Sequence, residues 1–183
     1  MDFYEAVEAR RTIRKYKGAA TEEQLARIID AAVRSPSSQN KQNWEFVIVD
    51  DPALIEKIAQ IKYIMNRGKP AGDEVPEDKE AAAQRQKDSF SNASLVVVFC
   101  DNNLADSAGV WCGIENMLLA AAAEGLGTRI ARLMGEASVS AGKVLRAPEG
   151  VEAVAAVSIG IPAETPGLRS LRPDGSWLHR NGF

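Results

Sequence analysis

Arg10-Arg11-Thr12-Ile13-Arg14 packs three guanidiniums and a hydroxyl into five residues of a chain whose net charge is −3. A small-polar run, Ser35-Pro36-Ser37-Ser38-Gln39-Asn40, follows after one amphipathic segment. Clustered cations with hydroxyl and amide donors are what a phosphorylated cofactor requires. Basic residues at the end of a first helix would also suit the helix dipole, and charge runs are usually solvated faces. The cluster alone leaves both readings open.

Working outward, Asp2 caps a first helix to about Glu8, with Phe3, Ala6 and Val7 on one face. Thr21-Glu22-Glu23-Gln24 is a capping box. It opens a helix with Leu25, Ile28, Ile29, Ala32 and Val33 at helical spacing, stopped by Pro36. Trp44–Val49 reads as a buried strand, and Asp51-Pro52 starts a helix to about Ile61. Residues 62–78, with Gly68, Pro70, Gly72 and Pro76, read as a mobile polar excursion. A helix over 77–89 then precedes a strand over Leu95–Cys100.

The span 104–124 reads as a helix apolar on all sides, which must be buried in a core or a subunit interface, with Gly125 as its C-cap. A strand over 128–131, a helix over 137–146 and a strand over 153–159 complete the pattern. The Pro- and Gly-punctuated stretch 160–183 reads as an extended tail.

With 183 residues, 45% hydrophobic and 26% charged, the chain is expected to form one domain over 1–183. The longest apolar runs fall far short of the ~18 residues a bilayer span needs, so no membrane segment is expected. Cys100 and Cys112 form neither a CxxC motif nor a disulfide framework, and buried free thiols in a cytoplasmic protein are expected. A sequence pI near 5.3 argues against nucleic acid as a partner.

Much chemistry is missing. The single histidine, His179, excludes HExxH, and no GxSxG or GxxxxGK[ST] occurs. Gly125-Leu126-Gly127-Thr128-Arg129 is not GxGxxG and runs from helix to strand, the reverse of the Rossmann order. With no metal site and few side chains able to act as acid, base or nucleophile, a cofactor becomes the expected reactive agent.

Four segments together resemble the FMN-dependent nitroreductase family. Arg10-Arg11-Thr12-Ile13-Arg14 is similar to its R-R-S-x-R signature, and Ser35 to Trp44 to its a-P-S-x-x-N-x-Q-P-W signature. Leu118-Leu119-Ala120-Ala121 with Gly125-Leu126-Gly127-Thr128 is the third match, and Ile159-Gly160-Ile161-Pro162-Ala163-Glu164 the fourth. They lie in the family's order across nearly the whole chain. Asn43 and Ser94 stand where the family usually has proline, and Arg132 where it often has glycine.

The resemblance implies an α+β three-layer fold, a mostly antiparallel sheet flanked by helices, in an intertwined homodimer with FMN at the interface. Helix 104–124 would be the central dimer helix, and the tail would pack on the partner subunit. Arg10 and Thr12 would contact the FMN phosphate or ribityl chain, Arg11 would contribute partly through its backbone, and Arg14 would face the flavin pyrimidine. Pro36, Ser37 and Ser38 would line the isoalloxazine, with Asn40 reaching ribityl or phosphate oxygens from the partner. Backbone groups of Ala131, Arg132 and Leu133 would approach flavin N5. Of Arg169 and Arg172, Arg172 is favoured for the phosphate because Pro173 follows it.

The implied activity is NAD(P)H oxidation by bound FMN, with NADH or NADPH as reductant, followed by ping-pong reduction of a nitroaromatic, quinone or similar acceptor. Residues 62–78, beginning with Tyr63, Ile64 and Met65, would cover the acceptor. The competing readings are a non-catalytic flavin-binding module and a specialised relative, such as a reductive dehalogenase or a flavin-cleaving enzyme.

Overall fold

The computed structural model describes residues 1–101, 107–167, 169–173 and 175–182. Its centre is β3 (Ser94–Asp101), an uninterrupted apolar strand buried on both faces. Val96, Val98 and Cys100 point into one core, Leu95, Val97 and Phe99 into the other. This period-two split of one strand produces three layers. On the first face lie α1 (Phe3–Ala9), α2 (Glu22–Val33) and α5 (Ala108–Ala123). On the second lie α3 (Pro52–Arg67), α4 (Glu77–Asp88) and α6 (Glu136–Leu145).

All ladders between strands are antiparallel. β2 (Trp44–Val49) pairs with β3, and β3 with the long β5 (Val151–Pro162). The β5 register slips by one residue at Val154, a bulge that turns both Val154 and Ala155 toward the α2/α5 core. Gly160 is opposite both Ala19 of β1 (Tyr16–Ala19) and Gly127 of β4 (Gly127–Arg132), so those strands flank β5 on opposite edges. The sheet thus bears out the expected three-layer α+β architecture.

Several expectations need correction. β1 was not legible in the sequence. α3 continues six residues past Ile61 and stops at Gly68, so 62–67 are helical and only 69–76 form a connection. That connection is tied down: the buried Arg67 guanidinium pairs with Glu80 (2.6 Å) and donates to the carbonyls of Pro70 and Asp73. α5 begins at Ala108; residues 104–106 of the expected helix lie outside the described residues. Within the single chain Cys112 is exposed and Leu119 and Ala120 are half-covered, so the chain's own core does not bury this helix on all sides. In α1 only Ala6 is buried, while Phe3 and Val7 face outward. Among the described residues no helix is long and apolar enough to cross a membrane.

Candidate cofactor site

The Arg10–Arg14 segment is extended and lies along β4. Thr12 bridges Thr128 in parallel, and the Ile13 N–H donates to the Thr128 carbonyl at 2.9 Å. Gly127 makes this approach possible, since a Cβ there would sit 2.5 Å from Ile13 Cγ1. The far side of the segment is held by Glu164, whose carboxylate accepts the backbone N–H groups of Arg14 and Lys15. Two of the four sequence motifs are thereby docked on a third. The basic residues point where the backbone aims them.

A cavity of about 220 Å³ opens at this junction, lined by Arg10, Thr12, Arg14, Gln86, Thr128 and Arg129, with Leu118 and Ile130. Three guanidiniums and two hydroxyls converge, and among the described residues no carboxylate lines the space. Arg10 has one acidic partner outside it, Glu115 at 3.3 Å on α5. Arg129 is only 3% exposed. Its Nη2 donates to Gln86 Oε1, its guanidinium stacks 5.1 Å from the Phe90 ring centre, and its Nη1 is buried without a hydrogen-bond partner. Burial pushes its pKa down to about 10, so it stays charged at neutral pH.

The open edge of β4 continues the site. Leu133 N–H donates to Val154 and Thr128 C=O accepts from Ile13, so odd-numbered residues of β4 bond β5 and even-numbered ones face the other way. Of Ala131, Arg132 and Leu133, only Arg132 therefore turns its amide toward the open edge; Ala131 and Leu133 are committed to the ladder. The Arg132 carbonyl accepts Lys62 Nζ at 2.7 Å. Lys62 is buried among cations, and desolvation, then Arg129 and Arg132, lowers its pKa to about 8. Beyond Leu133, Met134 joins Ile64 and Met65 in lining a second, more apolar cavity of about 420 Å³. Tyr63 instead bonds Glu80 and serves helix packing.

The second signature does not reach this cavity within one chain. Pro36 and Ser37 pack on Gly109, where a Cβ would lie 2.9 Å from Ser37 Cβ, at the first turn of α5. Arg10 meets the same helix at Glu115, about 9 Å further along its axis. Ser38 and Asn40 form an exposed 3-10 turn whose Gln39 and Asn40 have φ near +52° and +56°. In the tail, Arg169 Nη2 donates to the Arg10 carbonyl at 2.6 Å, whereas Arg172 stacks over Trp177. The single-chain geometry thus brings Arg169, not the favoured Arg172, to the basic segment. Arg11 donates to the Gly167 carbonyl and lies outside the cavity. Gln86 and Lys62 carry no signal in the sequence, while Glu164 and Arg129 stand there only as members of quoted segments, with no site role.

A buried arginine with one guanidinium nitrogen left unpartnered, lining a cavity with two further arginines, suits an anionic, carbonyl-bearing ligand. The pocket lies where Arg10–Arg14 meets β4, on the edge of the sheet in a three-layer protein. The comparisons agree: the chain belongs to the Nitroreductase family, whose model matches residues 7–161. A Methanothermobacter thermautotrophicus protein provisionally named NADH dehydrogenase/NAD(P)H nitroreductase is 32% identical over 180 residues, covering 93% of this chain and 83% of that one. An FMN-dependent nitroreductase from Clostridium difficile superimposes with a TM-score of 0.78 at 25% identity, covering 98% and 99% of the two chains. Iodotyrosine deiodinase bound to FMN and 3-iodo-L-tyrosine shares the fold, with a TM-score of 0.80 at 21% identity and full coverage of both chains.

Proposed function

We propose that this chain is an FMN-dependent NAD(P)H oxidoreductase that reduces nitroaromatics, quinones or similar electron-poor acceptors, working as a homodimer in the cytoplasm. The observation that carries the reading is the acid-free cavity of Arg10, Arg14 and Arg129 on the edge of β4. FMN, when bound, would supply the two-electron hydride chemistry that couples oxidation of NADH or NADPH to reduction of the acceptor in two half-reactions, a ping-pong cycle. The residues contribute binding, orientation and charge. Arg10, Thr12 and the tail's Arg169 hold the phosphate and ribityl end, and Arg14 stabilises negative charge on the pyrimidine. The Arg132 N–H serves N5, held in place because Lys62 fixes the adjoining carbonyl.

The loop Pro36, Ser37, Ser38 and Asn40 completes the site from a second copy. Its distance from the cavity in one chain supports this, as does the exposed apolar face of Phe3, Tyr4 and Val7 on α1. The Met134–Ile64–Met65 cavity supplies an apolar seat for the acceptor. The same seat is the place to test a dehalogenase reading, since the fold is shared with a deiodinase.

The test is direct. Purified protein should be yellow or take up FMN, bleach anaerobically with NADH or NADPH, and recolour with nitrofurazone or a quinone. Colour without bleaching would make it a binding module, and recolouring by 3-iodo-L-tyrosine alone would make it a dehalogenase. Failure to bind FMN would sink the proposal. Arg10→Ala should weaken FMN about 30-fold, the loss of one charge-assisted contact.

A further inference from the structure

Arg129 is an unusual residue to find inside a sheet. It is charged and 3% exposed, and among the described residues no carboxylate pairs with it. Two features offset part of its burial cost. The Phe90 ring lies under its guanidinium, and Gln86, which it binds, sits in the last turn of α4, where the helix dipole favours a cation. Neither uses Nη1, which is buried and unpartnered. A buried charge with spare donors is expensive unless it acts on something.

What it acts on is Gln86. A primary amide can face a neighbour with either its oxygen or its nitrogen. Arg129 has only donors, so Gln86 must give it Oε1, and the Gln86 Nε2 hydrogens remain for the cavity that both residues line. Arg14 lines the same cavity, so its guanidinium adds further donors to those of Gln86.

We propose, building on the FMN reading above, that Arg129 is a positioning residue: it locks Gln86 as an obligate donor toward the carbonyl-bearing edge of the flavin, and so binds the reduced cofactor more tightly than the oxidised one. The added electrons place negative charge on that edge, and donors fixed in advance cost no reorganisation when it appears. A Gln86 free to flip would have to be ordered by the flavin itself, which weakens this preference.

The experiment uses the FMN-loaded protein and two readouts that do not involve turnover: the dissociation constant of oxidised FMN, and the two-electron midpoint potential of the bound flavin. Arg129→Met keeps the volume and the Phe90 contact but removes the lock. Gln86→Glu keeps a partner for Arg129 but removes the donors. In both, reduced FMN should lose at least tenfold more affinity than oxidised FMN, a fall of about 30 mV or more in midpoint potential. Arg129→Lys, which also only donates, should recover part of the shift.

Unchanged potentials in FMN-loaded Arg129→Met and Gln86→Glu would overturn the inference and leave Arg129 a packing residue, whatever happens to the melting temperature. Should Arg129→Met not fold, the half-buried Gln86→Glu carries the test alone. If the unaltered protein binds no FMN, the functional reading fails first and takes this inference with it, a result distinct from an unshifted potential.

Discussion

The Arg10–Arg14 segment and the Ser37–Asn43 loop are held in different ways. The first is pinned along its length, by Thr128 on one side and Glu164 on the other, over a glycine that lets it approach. The second is an exposed loop in which Gln39, Asn40 and Gln42 all take positive φ, tied back through Ser37 Oγ to the Gln42 amide at 3.0 Å. One half of the site is complete against the chain's own sheet. The other carries backbone strain in an exposed turn, and strain kept at a surface is a reason to look for a function. The difference teaches that the chain's own sheet fixes the cationic segment, while the polar loop lines no part of the cationic cavity.

If the loop completes the site of a second copy, separating the two copies should do the greatest damage. Phe3→Asp alters a side chain that is 64% exposed in the single chain, so the fold should tolerate it. The expected result is a monomer by sedimentation with native circular dichroism and FMN affinity reduced more than 100-fold. A monomer that binds FMN as before would show that the cationic half suffices alone.

Next comes the electrostatic cost of the cationic half. Lys62 has its pKa lowered to about 8 by burial. At neutral pH the folded state must keep it charged, so the unfolded state binds more protons between about pH 8 and 10.4. Stability relative to Lys62→Met should therefore rise with pH across that window, by up to about 3 kcal/mol. Denaturant melts of the two proteins at pH 7 and pH 10 measure this. Parallel curves would mean the ammonium is solvated and does not hold the Arg132 carbonyl from a dry site.

A smaller effect probes how the segment is docked. Gly127→Ala would place a methyl 2.5 Å from Ile13 Cγ1, so the Arg10–Arg14 segment must shift. Overpacking of this kind should cost about 2 kcal/mol and weaken FMN, while leaving the Ser37 loop untouched. Hydrogen exchange of the Ile13 amide, now bonded to Thr128, reports the shift directly.

Much of the architecture was legible because local rules and tertiary outcome agree. The cap at Asp2, the capping box at Thr21, Pro at the start of α3, and the apolar β3 all behave as their patterns require. β1 was missed because four residues, Tyr-Lys-Gly-Ala, carry almost no alternation; it exists because β5 outruns β3 and offers an edge. The end of α3 was misread because Lys62 and Arg67 look like loop residues, yet one is buried against a carbonyl and the other between Glu80 and the chain that follows. Arg10, Thr12 and Arg14 could be named from their spacing. Arg129 and Gln86 could not, since an arginine in a strand and a glutamine in a polar helix become a pair only once β4 is packed beneath the end of α4.

The finest test concerns the strained loop. Gln42 sits at φ +50°, a conformation costing a side-chain-bearing residue about 1 kcal/mol that glycine escapes. Gln42→Gly also frees the unfolded chain, which offsets most of that gain, so thermal stability should change by less than about 1 kcal/mol. Stability alone would then call the residue neutral. Gln42 Nε2 also donates to Asn40 Oδ1 at 3.1 Å, and that contact orders the side chain proposed to reach the cofactor of the other copy. If the strain serves pre-organisation, FMN affinity should fall about threefold in Gln42→Gly although the fold is no weaker. An unchanged dissociation constant, with the same melting temperature, would make the left-handed run a tolerated accident of the turn, and the asymmetry between the two half-sites would then rest on the cations alone.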